Sequence, residues 1–184
     1  MEPIKIYTAV RMTGRMCDEM VQEAEMLTRT LNQHGYIALS PVLEEKIPYV
    51  NQILPSLDQA TLERYWRRDK ELIREADLVL DYNTGNLSDG AIQEIGYSRY
   101  CLWKPTVRVV PRPGFLISRL EDDIVVDSLG EAMLVIRERF GSYPQLKVWR
   151  EEMWQRSYYK WFNYQMDMNR RYGCFEGRAG KEIV

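Results

Sequence analysis

Residues 77–96 read Asp77-Leu-Val-Leu-Asp-Tyr82, then Asn83-Thr-Gly-Asn-Leu-Ser-Asp-Gly90, then Ala91-Ile-Gln-Glu94-Ile-Gly96. The first six residues predict a β-strand. Their central apolar run is what a strand needs when both faces of its sheet are covered. The polar stretch turns the chain, and the residues after it open a helix expected to run to about Leu102. A strand, a polar loop and a helix in this order form half of a parallel crossover unit.

The same alternation extends in both directions. Towards the amino terminus, residues 4–9 predict a first strand and residues 11–15 a polar turn. Met20, Ala24, Leu27 and Leu31 recur at helical spacing, and Gly35 stands where a glycine ends a helix, with His34 as its cap. Tyr36 to Ser40 predicts a second strand closed by Pro41. Residues 44–60 contain Pro48 and Pro55 and read as an irregular loop, and residues 61–75 as a charged amphipathic helix. Towards the carboxyl terminus, strands are expected at Thr106–Val110 and at 124–126, with a helix over 128–140. The fold class is therefore α/β: a doubly wound, mostly parallel five-stranded sheet (Rossmann or flavodoxin-like) with right-handed crossovers. From about residue 141 the composition changes. Residues 143–172 hold three of the five tryptophans and five tyrosines. We divide the chain into an α/β domain, 1–140, and an aromatic-rich helical extension, 141–184.

Composition excludes several classes. The 184 residues are 45% hydrophobic and 28% charged, as in a soluble globular protein. Twenty-five basic residues against 27 acidic ones give a formal charge of −2, so nucleic acid is not an expected partner. Cys17, Cys101 and Cys174 form neither a disulfide framework nor a metal-ligand spacing, and a reducing, cytoplasmic setting is expected. No 18-residue apolar run predicts a membrane span. His34 is the single histidine, which disfavours histidine metal sites and Ser-His-Asp triads. A Walker loop and a GxGxxG motif are both absent.

Ligands of open parallel sheets bind beyond the carboxyl ends of the strands. The loops expected there suit an anion. Loop 10–15 offers Arg11, Arg15 and the flexible Gly14. Loop 83–90 offers Ser88, Gly90 and the first amides of the next helix. Loop 111–118 offers Arg112 and Ser118. Unpaired amides and the helix dipole favour phosphate at such places. Glu94 lies one turn into the helix that follows Ser88, and Asp69 lies on the preceding helix. If both reach the crevice, two carboxylates stand beside an anion pocket, an arrangement suited to glycosidic bond cleavage. Each also has a plainer role: Glu94 as a first-turn acid, Ser88 as an N-cap, and Asp69 as a surface residue among Arg67, Arg68 and Lys70.

The stretch WRRDKELIREADLVLDYNTGNLSDGAIQEIGYSRYCLWKP, from Trp66, resembles the nucleoside 2-deoxyribosyltransferase family. The family pattern is D-x-x-x-(I/L)-x-x-(A/S)-D, an apolar run, then S-x-G-x-x-x-E-(apolar)-G-x-A. The opening KIYTA strand and Arg112-Pro113…Ser118 are similar too. The likeness is greatest to the branch that hydrolyses 2′-deoxynucleoside 5′-monophosphates, and it spans about residues 4–140. It departs from that branch in the first loop, where Met12-Thr13-Gly14-Arg15 stands in place of Ile-Arg-Gly-Gly, and at Ser98, where alanine is usual.

The resemblance implies roles. Glu94 matches the nucleophile that attacks C1′, Asp69 the aspartate that assists departure of the base, and Tyr7 the tyrosine that orients the nucleophile. Ser88 matches the serine of phosphate-binding members, where transferases acting on free nucleosides carry a carboxylate. Arg11, Thr13, Gly14, Arg15 and Gly90 join it around phosphate, and Met12 and Trp66 are candidate base contacts. Ser118 matches a serine lent to a neighbouring subunit, which implies a homodimer or higher homo-oligomer. The implied activity is hydrolysis of a deoxynucleoside monophosphate, with no metal and no cofactor. The alternatives are a base-exchanging deoxyribosyltransferase and a nucleotide sensor without turnover.

Overall fold

The computed structural model describes residues 2–11, 15–45, 58–82, 89–110 and 124–156. Five parallel strands lie in the order β2-β1-β3-β4-β5. They are β1 (Lys5–Val10), β2 (Ile37–Leu39), β3 (Leu78–Tyr82), β4 (Thr106–Val109) and β5 (Ile124–Val126). The strand positions and the parallel α/β class agree with the sequence expectation.

Two helical layers cover the sheet. On one face, α1 (Cys17–Gln33) and α5 (Leu129–Val135) bury Met20, Leu27, Leu31 and Met133 against Ile6, Leu78, Leu80, Val107 and Val109. On the other, α3 (Gln59–Glu75) buries Leu72 and Ile73 against Tyr7, Ala9 and Val79. The single turn α2 (Pro41–Glu44) and α4 (Asp89–Gly96) complete the described helices of the domain. Alternation along β3 sends Leu78 and Leu80 to the first face and Val79 and Asp81 to the second.

Local chemistry sets the helix ends. α1 closes in a Schellman motif: Tyr36 N–H donates to Leu31 O (3.1 Å) and Gly35 N–H to Asn32 O (3.0 Å), with Gly35 at φ +81°. His34 Nδ1 also lies 2.9 Å from Thr30 O, so the predicted cap is present. α2 was not expected. Pro41 at its first position pre-sets a helical φ, so one turn forms between β2 and the predicted loop. α3 begins two residues before the expected start, because Asp58 accepts the Thr61 N–H at 2.8 Å. α4 continues as a π-helical turn, Tyr97–Cys101, and α5 as another, Ile136–Phe140.

A last helix, α6, spans residues 143–156. Leu146 and Met153 are buried, and the Trp149 ring meets Phe140 edge-on at 6.0 Å. Asp77 fastens this helix to the sheet's amino edge. Its Oδ2 accepts the Lys5 N–H (2.9 Å) and the Tyr143 hydroxyl (3.3 Å), and Arg150 approaches Oδ1 at 4.0 Å. No described helix is long and apolar enough to cross a membrane.

Lys104 performs a comparable task for α3. Trp103 holds a left-handed backbone, φ 53°, and the chain then returns beneath the end of α3. The buried Lys104 Nζ donates to the carbonyls of Ile73 (2.8 Å), Arg74 (2.6 Å) and Ala76. These are orphan acceptors at a helix terminus, where a cation is also favoured by the dipole. Replacing Lys104 with Met should cost about 1–3 kcal/mol by leaving those carbonyls unsatisfied. Thermal denaturation checks this, at about 2–4 °C per kcal/mol for a chain of this size.

Candidate active site

The strand order reverses direction between β1 and β3, because α1 leaves β1 on one face while α3 and α4 cover the other. Crevices of doubly wound sheets open at this switch point. Three sequence-predicted residues meet there on the second face: Tyr7 from β1, Asp69 from α3 and Glu94 from α4.

Tyr7 is fully buried in mid-strand. Its ring fills the core beside Leu72 and Val79, and its hydroxyl faces both carboxylates. It meets neither within regular hydrogen-bond geometry. Burial first, then the Glu94 and Asp69 charges, hold the phenol's pKa well above its ordinary value. The group therefore stays protonated near neutral pH.

Asp69 is 7% exposed, on the buried stripe of α3 with Tyr65, Leu72 and Ile73. Burial and the neighbouring Glu45 carboxylate push its pKa up to about 7, against a weaker downward pull from Tyr7. Glu94 is partly buried. Its carboxyl group is raised well above the usual range by burial, then by the Asp69 and Asp81 charges, and Tyr7 again opposes the shift. Both carboxyl groups therefore hold a proton more readily than ordinary carboxylates do.

Other predicted residues are placed less centrally. Arg11 follows β1 at the sheet's carboxyl edge, partly buried, and its Nε has no partner among the described residues. Arg15 is engaged by Glu23 of α1, which diminishes the charge it can offer an anion. Gly90 is exposed in the first turn of α4. Trp66 is partly buried on α3, edge-on to Tyr97 at 5.8 Å, with Lys70 Nζ 5.4 Å from its ring centre. Met12, Thr13, Gly14, Ser88, Arg112 and Ser118 lie outside the described residues.

Sequence reasoning missed three charged neighbours. Glu45 follows α2 and acts on Asp69. Asp81 of β3 and Arg108 of β4 are register partners, 0% and 2% exposed, with Arg108 Nε donating to Asp81 Oδ2 at 3.0 Å. Their signal was present: each is a charged residue inside an otherwise apolar strand.

No family model matches the sequence, and a search of curated proteins finds no match. Solved structures do. The 2-deoxyribosyltransferase of Bacillus psychrosaccharolyticus is similar at a TM-score of 0.54 and 20% identity, over 77% of this chain and 95% of that one. A conserved protein of Enterococcus faecalis V583 is similar at 0.52 and 16%, over 76% and 100%. The CMP N-glycosidase BcmB of Clostridium botulinum gives 0.45 and 16%, over 72% and 97%. With its parallel five-stranded sheet and flanking helices, the chain has the fold of the 2-deoxyribosyltransferase.

Proposed function

We propose that the chain hydrolyses the N-glycosidic bond of 2′-deoxyribonucleoside 5′-monophosphates. The observation that carries this reading is the buried Tyr7 hydroxyl facing two proton-sharing carboxyl groups, Asp69 and Glu94, at the switch point of the sheet. Fold likeness assigns no chemistry. The carboxyl pair supplies what this reaction needs, a nucleophile and a proton donor that do not depend on a metal.

The reacting form of the pair is the one in which Asp69 carries the shared proton and Glu94 is ionised; in the first step a Glu94 oxygen bonds to C1′ as the C1′–N bond breaks. The electron pair leaves with the base, which takes the proton of Asp69. In the second step Asp69, now a carboxylate, removes a proton from water as that water attacks C1′. The ester to Glu94 breaks, releasing 2-deoxyribose 5-phosphate. Arg11 at the carboxyl edge of β1 supplies positive charge for the phosphate. Ser88, Gly14, Thr13 and Gly90, with Ser118 from a second copy of the chain, would complete that pocket, and Met12 and Trp66 would border the base.

The test is incubation with each common deoxynucleoside monophosphate, free base being measured by chromatography. Asp69→Asn should lower kcat about 10²–10⁴-fold, and Glu94→Ala at least as much. Acid-quenched wild-type protein should carry a deoxyribose-phosphate mass increment on the peptide containing Glu94. Base exchange in the presence of an added acceptor base would favour a deoxyribosyltransferase. Nucleotide binding without base release would favour a sensor. Activity that survives Glu94→Ala removes the nucleophile.

The raised Asp69 pKa also predicts a pH dependence. Activity should fall once pH rises far enough to remove the proton that Asp69 and Glu94 share, because the proton donor is then lost. Stability follows the same group. Its folded pKa lies above the unfolded value of about 3.9, so the native state holds the extra proton and loses stability as pH rises from there to about 7. Asp69→Asn removes that penalty. The variant should melt at least about 2–4 °C above wild type at pH 8, with the difference shrinking at pH 5. Thermal melts across that range check it.

A further inference from the structure

Arg11 and Arg15 are the two basic residues between β1 and α1, and they differ in their partners. Arg11 directly follows β1, and its Nε has no partner among the described residues. Arg15 Nη1 donates to Glu23 Oε2 of α1 in a close ion pair. The side chains of that pair are 21% and 11% exposed, so solvent and salt screen it little.

The topology puts this pair at the carboxyl edge of the sheet. Arg15 lies between the end of β1 and the start of α1, and the Val10 and Tyr82 that end β1 and β3 are register partners packed on the α1 face. Burial and then the Glu23 charge raise the Tyr82 phenol above its ordinary pKa, in keeping with a carboxylate near the end of β3. Glu23 is six residues beyond Cys17, the first residue of α1. At a helical rise of about 1.5 Å per residue, its Cα lies about 9 Å along the axis. The Arg15 guanidinium is thus held beside the body of α1 and not at its amino end, where helix amides meet anions. Asp18 and Glu19 occupy the first turn of the same helix, so positive charge is scarce there.

We infer that Glu23 is a specificity-determining residue that sets how tightly the site grips the 5′ end of its substrate, by neutralising Arg15 in this ion pair. This rests on the reading that a 5′-phosphate binds at the carboxyl edge of β1. Such a phosphate carries about two negative charges near neutral pH. It meets a neutral pair in place of a lone guanidinium, and the Glu23 carboxylate repels it. The phosphate takes no part in the exchange of bonds at C1′. The effect is therefore on binding, present in the ground state and the transition state alike, and it moves KM and not kcat. A nucleoside without phosphate is indifferent to it.

The experiment measures binding of inorganic phosphate and of 2-deoxyribose 5-phosphate by calorimetry, and kcat and KM for a deoxynucleoside monophosphate and its nucleoside. The proteins are wild type, Glu23→Gln, Glu23→Ala and the double variant Arg15→Gln/Glu23→Gln. Glu23→Gln keeps the length of the side chain and an acceptor for Arg15, and removes the charge. It should bind both phosphates about three- to tenfold more tightly and lower KM for the monophosphate by a similar factor. Its kcat and its KM for the nucleoside should be nearly unchanged. The double variant should forfeit the gain, because the gain comes from the Arg15 charge. Unaltered phosphate affinity in folded Glu23→Gln overturns the inference. Weaker binding also overturns it, since Glu23 then orients Arg15 for phosphate. A gain that persists in the double variant overturns it too, because Arg15 is then not the restrained group. Should Glu23→Gln not fold, Glu23→Ala decides by the same criteria, and failure of both to fold makes the pair structural and sinks the idea. If wild type hydrolyses no nucleotide while Glu23→Gln still gains phosphate affinity, the hydrolase reading fails and the restraint on Arg15 stands. If wild type is active and its phosphate affinity ignores Glu23, only the present inference fails.

Discussion

The burial of several acidic groups on one face of one sheet is the constraint on which the site depends. Asp69, Glu94 and Asp81 interact from α3, α4 and β3, and Glu45 acts on Asp69 from the end of α2. Asp69 and Glu94 would ionise readily in water. Here removal from water and repulsion from neighbouring acids raise the cost of charging these two. A retained proton is the outcome, and a retained proton beside a carboxylate is what acid–base chemistry on a leaving group requires. The opposite face of the sheet, packed by α1 and α5, has no comparable collection of buried acids among the described residues.

That cost is offset at a distance from the crevice. The larger apolar cluster lies on the first face. Asp77 and Lys104 act at the amino edge of the sheet, where β1 and β3 begin and α3 ends. Asp77 joins β1, β3 and α6, and Lys104 closes the carbonyl end of the helix that carries Asp69. Rigid devices at one edge thus fix elements whose reactive side chains project at the other. A catalytic group on a helix is only as well placed as the helix itself.

The sequence disclosed the layers more readily than the side-chain partners. Apolar runs at 4–9, 77–82 and 106–110, separated by helical periods, led directly to a parallel sheet. α3 starts two residues earlier than its sequence pattern predicts, because Asp58 caps it. Asp69 read equally well as a surface residue among basic neighbours. Yet Tyr65, Asp69, Leu72, Ile73 and Ala76 follow the 3.6-residue period, and that spacing places Asp69 on the buried stripe. Asp81 and Arg108 each interrupt an apolar strand visibly. Their pairing depends on β3 lying beside β4 in one register, which no local pattern encodes. The same holds for Arg15, whose partner Glu23 lies on α1 at a separation that no helical or strand period links to it.

Tyr7 links these features. A phenol held well above its ordinary pKa has one proton to donate and does not lose it near neutrality. Facing two carboxyl groups, it favours whichever is ionised. In the proposed reaction that identity changes: Glu94 carries the charge before C1′ is attacked, and Asp69 carries it once the base has taken its proton. A donor fixed in mid-strand between the two accommodates both states by turning its hydroxyl, with no movement of backbone. Phenylalanine there would preserve the apolar packing against Leu72 and Val79 and remove the only part of the side chain that distinguishes one protonation state of the pair from the other.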